Sequence, residues 1–258
     1  MDKREIFRLT TVESTNDLAL KALAGDGAHG NCWVAEAQTA GRGRRSGGGK
    51  RRRWHSPPGV NLYMSILLRP SISAQAAQTL TLAAGLAVCE VLGDLTSVEV
   101  RLKWPNDLYV ADRKLGGILT EAICDASGLR GVVIGVGINC LLAVDQIPDE
   151  LNGIVTSLLI EGESSIEPAL LPELIRDQVL SRVETVQQCG FSSIVASLRR
   201  VDGTVGRSVE VSHNGEMRVG TASGIDDLGR LCVQFDDKSV LKMVSGEAKV
   251  LWGLRGAK

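Results

Sequence analysis

Seven formal positive charges fall between Arg42 and Arg53, and no Asp or Glu occurs over residues 37–89, in a chain whose 29 basic and 30 acidic residues leave a net charge of -1. The cations are Arg42, Arg44, Arg45, Lys50, Arg51, Arg52 and Arg53, interleaved with glycine and closed by Trp54. Guanidinium forks and glycine amides at this density suit an anion. An arginine can present two donors to one carboxylate or phosphate, and glycine lets backbone N–H groups close around it. Five glycines in residues 41–49 exclude a stable helix, because each costs about 1 kcal/mol relative to alanine. The stretch reads as a mobile loop between two strands, against the plainer alternative of a solvated charge run.

A second group is Lys103-Trp104-Pro105-Asn106-Asp107, followed by Lys114-Leu115-Gly116-Gly117-Ile118. The plain reading is an Asx turn and a bulge. Paired glycines in an otherwise branched strand, however, remove side chains where something approaches the backbone. Lys114 would project beside that gap, and Asp107 is placed to hold Mg²⁺ beside phosphate oxygens. A third stretch, Gly135-Val136-Gly137-Ile138-Asn139, is weak by itself, since a lone G-x-G has many uses.

These residues need a scaffold. Apolar alternation predicts strands over 6–12, 31–38, 61–68, 98–103, 107–110, 114–123 and 130–139. Helices are expected over 14–25, with Ser14-Thr15 as N-cap, and over 73–92, capped by Ser73. The later turns are too short for parallel crossovers, so these strands form an antiparallel meander. The two helices are expected to cover one face, giving an α+β architecture with a mixed or antiparallel sheet. Helical patterns follow over 168–188 and 191–200. Short strands over 208–212, 218–225, 230–235 and 239–243 then predict a small β-barrel, dividing the chain into 1–202 and 203–258.

Bulk composition narrows the classes. The 258 residues are 44% hydrophobic and 23% charged, as in an ordinary globular protein. Six scattered cysteines without a C-x-x-C pair read as reduced thiols of a cytoplasmic protein, and three histidines argue against a zinc site. The start of the chain lacks the apolar region of a secretory signal, and the apolar run over 132–144 is too short to span a bilayer.

In this order the motifs resemble the catalytic core of biotin protein ligases: Ser14-Thr15-Asn16, Gln38, Gly41-Arg42-Gly43-Arg44-Arg45, Trp54, Lys103 to Asp107, Lys114 to Ile118, and Gly135 to Asn139. The resemblance implies the class II synthetase-like biotin/lipoate ligase fold with an SH3-like C-terminal barrel. It also implies an enzyme without the DNA-binding domain and repressor role of bifunctional members. The implied reaction joins biotin to ATP as biotinyl-5′-adenylate, with Mg²⁺, and then acylates a lysine of a biotin carboxyl carrier domain of acetyl-CoA carboxylase or another carboxylase. Oligomeric state stays open, a homodimer included, and neither DNA nor membrane is expected as a partner.

By the resemblance, Ser14, Thr15, Asn16, Gln38, Gly41, Arg42, Gly43, Arg44, Lys114, Gly116 and Gly117 bind biotin or its activated carboxyl group. Arg45, Arg52, Trp54, Lys103, Asn106, Asp107 and Asn139 serve the nucleotide, Asp107 also the metal. Lys114 and Arg44 are the expected catalytic cations, since a carboxylate and a triphosphate meet only if fixed charge offsets their repulsion. The chain departs from the family in the basic stretch, where Ser46 follows Arg45 and the path to Trp54 is longer by about five residues than the usual pattern. Aligned from Arg45 forwards, Ser46 replaces a glycine of the family pattern; aligned from Trp54 backwards, the preferred view for Arg52 and Trp54, Arg52 takes the place of the later arginine and Gly49 is the candidate for the turn.

Two other readings compete. A lipoate or octanoate ligase or transferase shares the superfamily but not the Gly-Arg-Gly-Arg-Arg and Lys-Trp-Pro-Asn-Asp runs. A non-enzymatic nucleic-acid-binding module would use residues 50–54 as a phosphate patch, against a 3% aromatic content.

Overall fold

Strands β1 (Ile6–Val12), β2 (Cys32–Gln38), β5 (Asn61–Leu68), β6 (Val100–Lys103), β7 (Asp107–Val110), β8 (Arg113–Asp125) and β9 (Gly128–Asn139) form a seven-stranded sheet in the order β1-β2-β5-β9-β8-β7-β6. The computed structural model describes residues 4–45, 51–213, 216–244 and 248–255, and not the side chains of Arg45, His213 and residues 252–255. β1 and β2 are parallel, joined through helix α1 (Thr15–Ala24), whose length suits a parallel crossover. Every other neighbouring pair is antiparallel, so the sheet is mixed.

Alternation along β5 and β9 decides which face carries chemistry. The strands pair from Asn61 opposite Asn139 to Leu68 opposite Val132, and successive side chains point to opposite faces. Leu62, Met64, Ile66 and Leu68, with Val132, Ile134, Val136 and Ile138, turn into the main core. There they meet α2 (Leu80–Leu95), α3 (Leu171–Cys189) and α4 (Ser192–Val201). The alternate positions, Asn61, Tyr63, Ser65, Gly135, Gly137 and Asn139, occupy the opposite face.

The two early helices therefore do not share a face, contrary to expectation. Ala19 and Leu23 of α1 form a separate cluster with Leu67 and Val133, whereas Ile66 and Ile134 pack on the α2 side. Helical periodicity says which stripe is apolar; only strand parity says which side of the sheet receives it. Ser73 does not cap this helix as expected: α2 begins at Leu80 with Thr79 at its N-cap position, after a 3-10 turn over Ala76–Thr79, and Ser73 accepts the Ala76 N–H at 3.1 Å at the start of that turn. The stretch Ala76–Leu95 is long and apolar enough to cross a membrane by length and composition alone, but most of it is buried as the central helix of the core.

The basic stretch is not a plain loop. β3 (Arg42–Arg45) and β4 (Arg51–Arg53) pair as an antiparallel ribbon, Arg42 opposite Arg53. Its base is closed by the Trp54 N–H donating to Gly41 O at 2.9 Å. Facing like charges destabilise a ribbon, and here Asp17 and Glu121 accept the Arg42 guanidinium. Ser46 and Gly49, on which the comparison with the family pattern turned, lie outside the described residues.

The C-terminal strands β10 (Arg207–His213), β11 (Glu216–Ile225), β12 (Leu231–Gln234), β13 (Val240–Met243) and β14 (Ala248–Arg255) form an antiparallel sheet ordered β13-β12-β11-β10-β14. Among the described residues β13 and β14 are its edges, so the expected barrel is not closed, and β14 was absent from the sequence reading. The C-terminal segment joins the main sheet at β6 and the turn that follows it. Gly203 N–H donates to Leu102 O at 2.9 Å, Trp104 N–H to Thr204 Oγ1 at 2.9 Å, and the Trp104 indole to Gly229 O at 3.1 Å.

Candidate active site

Over the face opposite the main core lies a cavity of about 230 Å³, bounded by α1, the β3–β4 ribbon, β8, β9 and the segment 151–155. Its floor is backbone. A Cβ on Gly135 would stand 2.2 Å from Asn16 Oδ1, and one on Gly137 would stand 2.9 Å from Trp54 Cε2. The two glycines are thus required by the side chains that lie on them.

One end of the cavity is polar and neutral. Ser14 occupies the N-cap position of α1 but makes no side-chain cap, and it is buried at the cavity wall. The Thr15 N–H and hydroxyl reach Gln38 Oε1 at 2.9 and 3.2 Å. Ser65 Oγ lies 2.8 Å from Thr15 Oγ1 and 2.5 Å from Asn16 Oδ1. Asn16 Nδ2 donates to Glu121 Oε2 at 2.9 Å, and Gln38 Nε2 donates to Ser56 Oγ at 3.3 Å. Both amides are therefore oriented before any ligand arrives.

The other end is cationic. Lys114 Nζ donates to Asp107 Oδ1 at 2.6 Å and lies 5.5 Å from the centroid of the Trp54 ring. A Cβ on Gly117 would be 3.4 Å from Asp107 Oδ1 and 3.6 Å from Lys114 Nζ, so the ion pair spans that glycine. Lys114 is held from behind by residues 154–156: its N–H donates to Ile154 O at 2.9 Å and its carbonyl accepts from Thr156 N–H at 2.8 Å. Burial pushes the Lys103 ammonium below its ordinary pKa; Asp107 opposes this, and Lys114, Arg44 and Arg52 reinforce it. Crowded cations of this kind await an anion that offsets their repulsion. Among the described residues the buried Trp54 Nε1 and Arg42 Nε have no acceptor, a cost that a ligand oxygen would remove.

Of the residues expected from sequence, Ser14, Thr15, Asn16, Gln38, Arg42, Gly43, Arg44, Arg52, Trp54, Asn106, Asp107, Lys114, Gly117 and Asn139 line the cavity together. Gly41 is not in its lining, and a Cβ there would be 2.6 Å from Ser56 Oγ; Gly116 packs against the Gly137 carbonyl, which a Cβ at 116 would approach to 2.5 Å. Lys103 stands behind the lining with its ammonium 5.3 Å from the Tyr109 ring centroid. The Arg45 side chain lies outside the described residues. Asn106 and Asn139 each donate their amide to a backbone carbonyl, of Ile118 and Thr156 respectively, both at 2.9 Å. These two therefore shape the wall through their own bonds to the backbone.

Sequence reading missed Tyr63, Ser65, Glu121 and the 151–155 segment. The alternation of β5 would have found the first two, while nothing local marks the others. Asp107 is the one expected metal ligand, and no group of three or more His, Cys, Asp or Glu able to hold a metal occurs among the described residues. Its donor set does not fit a resident metal ion. It fits a Mg²⁺ carried in by phosphate oxygens, which needs only one or two protein carboxylates.

Residues 9–139 match the model of the biotin/lipoate A/B protein ligase family, and residues 204–249 match that of the biotin protein ligase C terminal domain. The bifunctional ligase/repressor BirA of Salmonella typhimurium is 33% identical, over 92% of this chain and 71% of its own. The biotin--[acetyl-CoA-carboxylase] ligase of Mycobacterium tuberculosis is 33% identical, over 92% of this chain and 86% of its own. Among solved structures, biotin protein ligase from Aquifex aeolicus in complex with biotin and ATP has a TM-score of 0.80 at 26% identity, covering 97% of this chain and all of that one (100%). The Leishmania major enzyme with biotinyl-5-AMP has a TM-score of 0.61 at 28% identity, covering 93% and 99%. A neutral polar end and a cationic end joined over a glycine floor, on this fold and with these relatives, mark the chain as a member of the biotin/lipoate A/B protein ligase family, on its biotin protein ligase side.

Proposed function

We propose that the chain is an ATP-dependent biotin protein ligase. One observation carries the reading: the cavity has a hydrogen-bonding end, made by Ser14, Thr15 and Asn16 with Ser65 bonded behind the latter two, and a cationic end at Lys114 and Arg44. The ureido head of biotin offers both N–H donors and a carbonyl acceptor, while its carboxylate lies at the far end of a chain. A dithiolane or a plain alkyl tail has nothing to give the polar end, where buried groups would go unpaired.

In the first step a carboxylate oxygen of biotin attacks the α-phosphorus of ATP, the bond to the bridging oxygen breaks, and pyrophosphate leaves. Lys114 and Arg44 offset the charge of the approaching anions and of the transferring centre. Asp107 orients the Lys114 ammonium and would hold Mg²⁺ that accompanies the phosphates, which supplies further charge neutralisation when bound. Trp54 and Arg52 wall the nucleotide side. In the second step a lysine amine of the carrier domain attacks the acyl carbon and AMP leaves. No nucleophilic side chain of this chain is required, because both attacking groups belong to substrates.

The acceptor in this reading is a biotin carboxyl carrier domain of acetyl-CoA carboxylase or another biotin-dependent carboxylase, met in the cytoplasm. The six cysteines, all free, agree with a reducing compartment. The further parts of the reading are a division into a catalytic unit over 1–202 and an SH3-like unit over 203–258, a homodimer as one assembly, and no DNA partner. The decisive experiment is biotin-dependent ATP–pyrophosphate exchange with Mg-ATP; its absence in folded protein sinks the assignment. Thermal shifts with biotin, lipoate and octanoate separate the branches, because only a ligand that binds the native state raises the melting temperature.

A further inference from the structure

Glu121 lies on β8 opposite Val133, on the face that carries the cavity, with its side chain 18% exposed. It does not line the cavity, yet its carboxylate gathers three separate elements. Oε2 accepts from Asn16 Nδ2 of α1 at 2.9 Å and from Arg42 Nη2 of β3 at 3.0 Å, and Oε1 pairs with Arg51 Nη2 of β4 at 3.2 Å. Both strands of the basic ribbon and the polar end of the cavity are thus referred to one side chain. Asp17 takes the other guanidinium nitrogen of Arg42 and adds a second tie between the ribbon and α1.

Two consequences follow from this geometry. Glu121 accepts only, when ionised, so it fixes which end of the Asn16 amide faces it. Asn16 Oδ1 is then left toward Ser65 and the Gly135 floor, as an acceptor for an N–H donor in the cavity. Glu121 and Asp17 together also offset the charges of Arg42 and Arg51, which would otherwise repel the remaining cations of the ribbon, so the ribbon can lie over the site with Arg44 in the cavity wall.

We propose that Glu121 is a positioning residue that couples recognition of the ligand's head group at Asn16 to the placement of the β3–β4 ribbon over its carboxylate. This rests on the biotin reading of the cavity. A ligand N–H that engages Asn16 Oδ1 strengthens the amide's bond to Glu121, and Glu121 in turn holds Arg42 and Arg51. Activation by the cationic end is thereby tied to a correct head group, which discriminates biotin from fatty acids that carry the carboxylate without the head group.

The test compares wild type, Glu121→Gln and the conservative Glu121→Asp by limited trypsin cleavage at the ribbon arginines, by biotin titration, and by exchange kinetics with biotin and octanoate. Wild type should gain protection of the ribbon on saturation with biotin but not with octanoate. Glu121→Gln should still bind biotin, about tenfold more weakly, since it loses charge-assisted bonds, and saturating biotin should no longer protect the ribbon. Its kcat/KM ratio of biotin to octanoate should fall, with Glu121→Asp intermediate. Equal protection of wild type and Glu121→Gln at saturation, or an equal loss of kcat/KM for both acids, overturns the coupling. Failure of wild type to bind biotin at all overturns instead the reading on which it rests. Melting temperatures of the variants separate coupling from misfolding, because a general loss of fold would abolish biotin binding together with protection.

Discussion

Lys114 and Asp107 reach each other diagonally across β7 and β8: Tyr109 is the direct partner of Lys114, Gly117 that of Asp107, and a register shift between Leu108 and Tyr109 separates the two pairings. The 2.6 Å contact crosses the place where Gly117 has no side chain. The ammonium is thereby aimed along the cavity wall and stays a donor of two further hydrogen bonds.

Lys114→Ala should lower biotin-dependent pyrophosphate exchange by about a hundredfold or more, in the range lost when a group that stabilises transition-state charge is removed. The fold should survive, since Lys114 is held through its backbone by residues 154–156. Exchange assays paired with circular-dichroism melting check this, and near-normal turnover would remove Lys114 from the role.

Gly135→Ala and Gly116→Ala should fail differently. The new methyl at 135 meets Asn16 Oδ1, a ligand-facing amide, so biotin affinity should fall by about tenfold with a modest change in melting temperature. The methyl at 116 meets the Gly137 carbonyl inside the sheet, where backbone has no room to yield, so stability should suffer first. Calorimetry and thermal melting of both variants distinguish these outcomes.

Trp104→Phe removes the indole that donates to Gly229 O and leaves that carbonyl without its partner at the junction of the two sheets. An orphaned buried acceptor costs about 1–3 kcal/mol, and at this chain length the melting temperature should drop by roughly 5 °C. A drop within experimental error would show that water repairs the junction.

Asp202 offers a pH test. Burial pushes its carboxyl above the ordinary value of 3.8; hydrogen bonds from Thr204 and Val205 and the charge of Arg101 oppose this, while Oδ2 has no partner among the described residues. A raised pKa means that the folded protein holds the proton more tightly than the unfolded chain does. The neutral form therefore favours folding below 3.8, and that advantage is lost as pH rises through the folded-state pKa. Asp202→Asn, which stays neutral, should gain in melting temperature relative to wild type as pH is raised through this acid range. A difference that is flat with pH would mean that Asp202 titrates normally.

Much of the scaffold was legible. Strands at Asn61–Leu68 and Asp107–Val110 lie where alternation and Pro105 placed them, and α3 occupies Leu171–Cys189 against the expected 168–188, its first three residues forming a 3-10 turn instead. These elements announce themselves because their signals are local: period, cap and breaker all lie within a dozen residues. The motif residues were legible for a related reason, since chemistry constrains residue type at short spacing.

By itself the sequence determined the residue types at the two ends of the cavity: the hydroxyls and amide of Ser14, Thr15 and Asn16, and the cations of the basic ribbon with Lys114. It did not determine that α1 lies on the opposite face from α2, that the cationic stretch pairs with itself as a ribbon, that residues 154–156 hold Lys114, or that Glu121 ties Asn16 to Arg42 and Arg51. Each of these depends on strand parity and register between segments distant in sequence. A shift of a single residue moves every side chain of a strand to the other face, and no local pattern records which partner fixes the register.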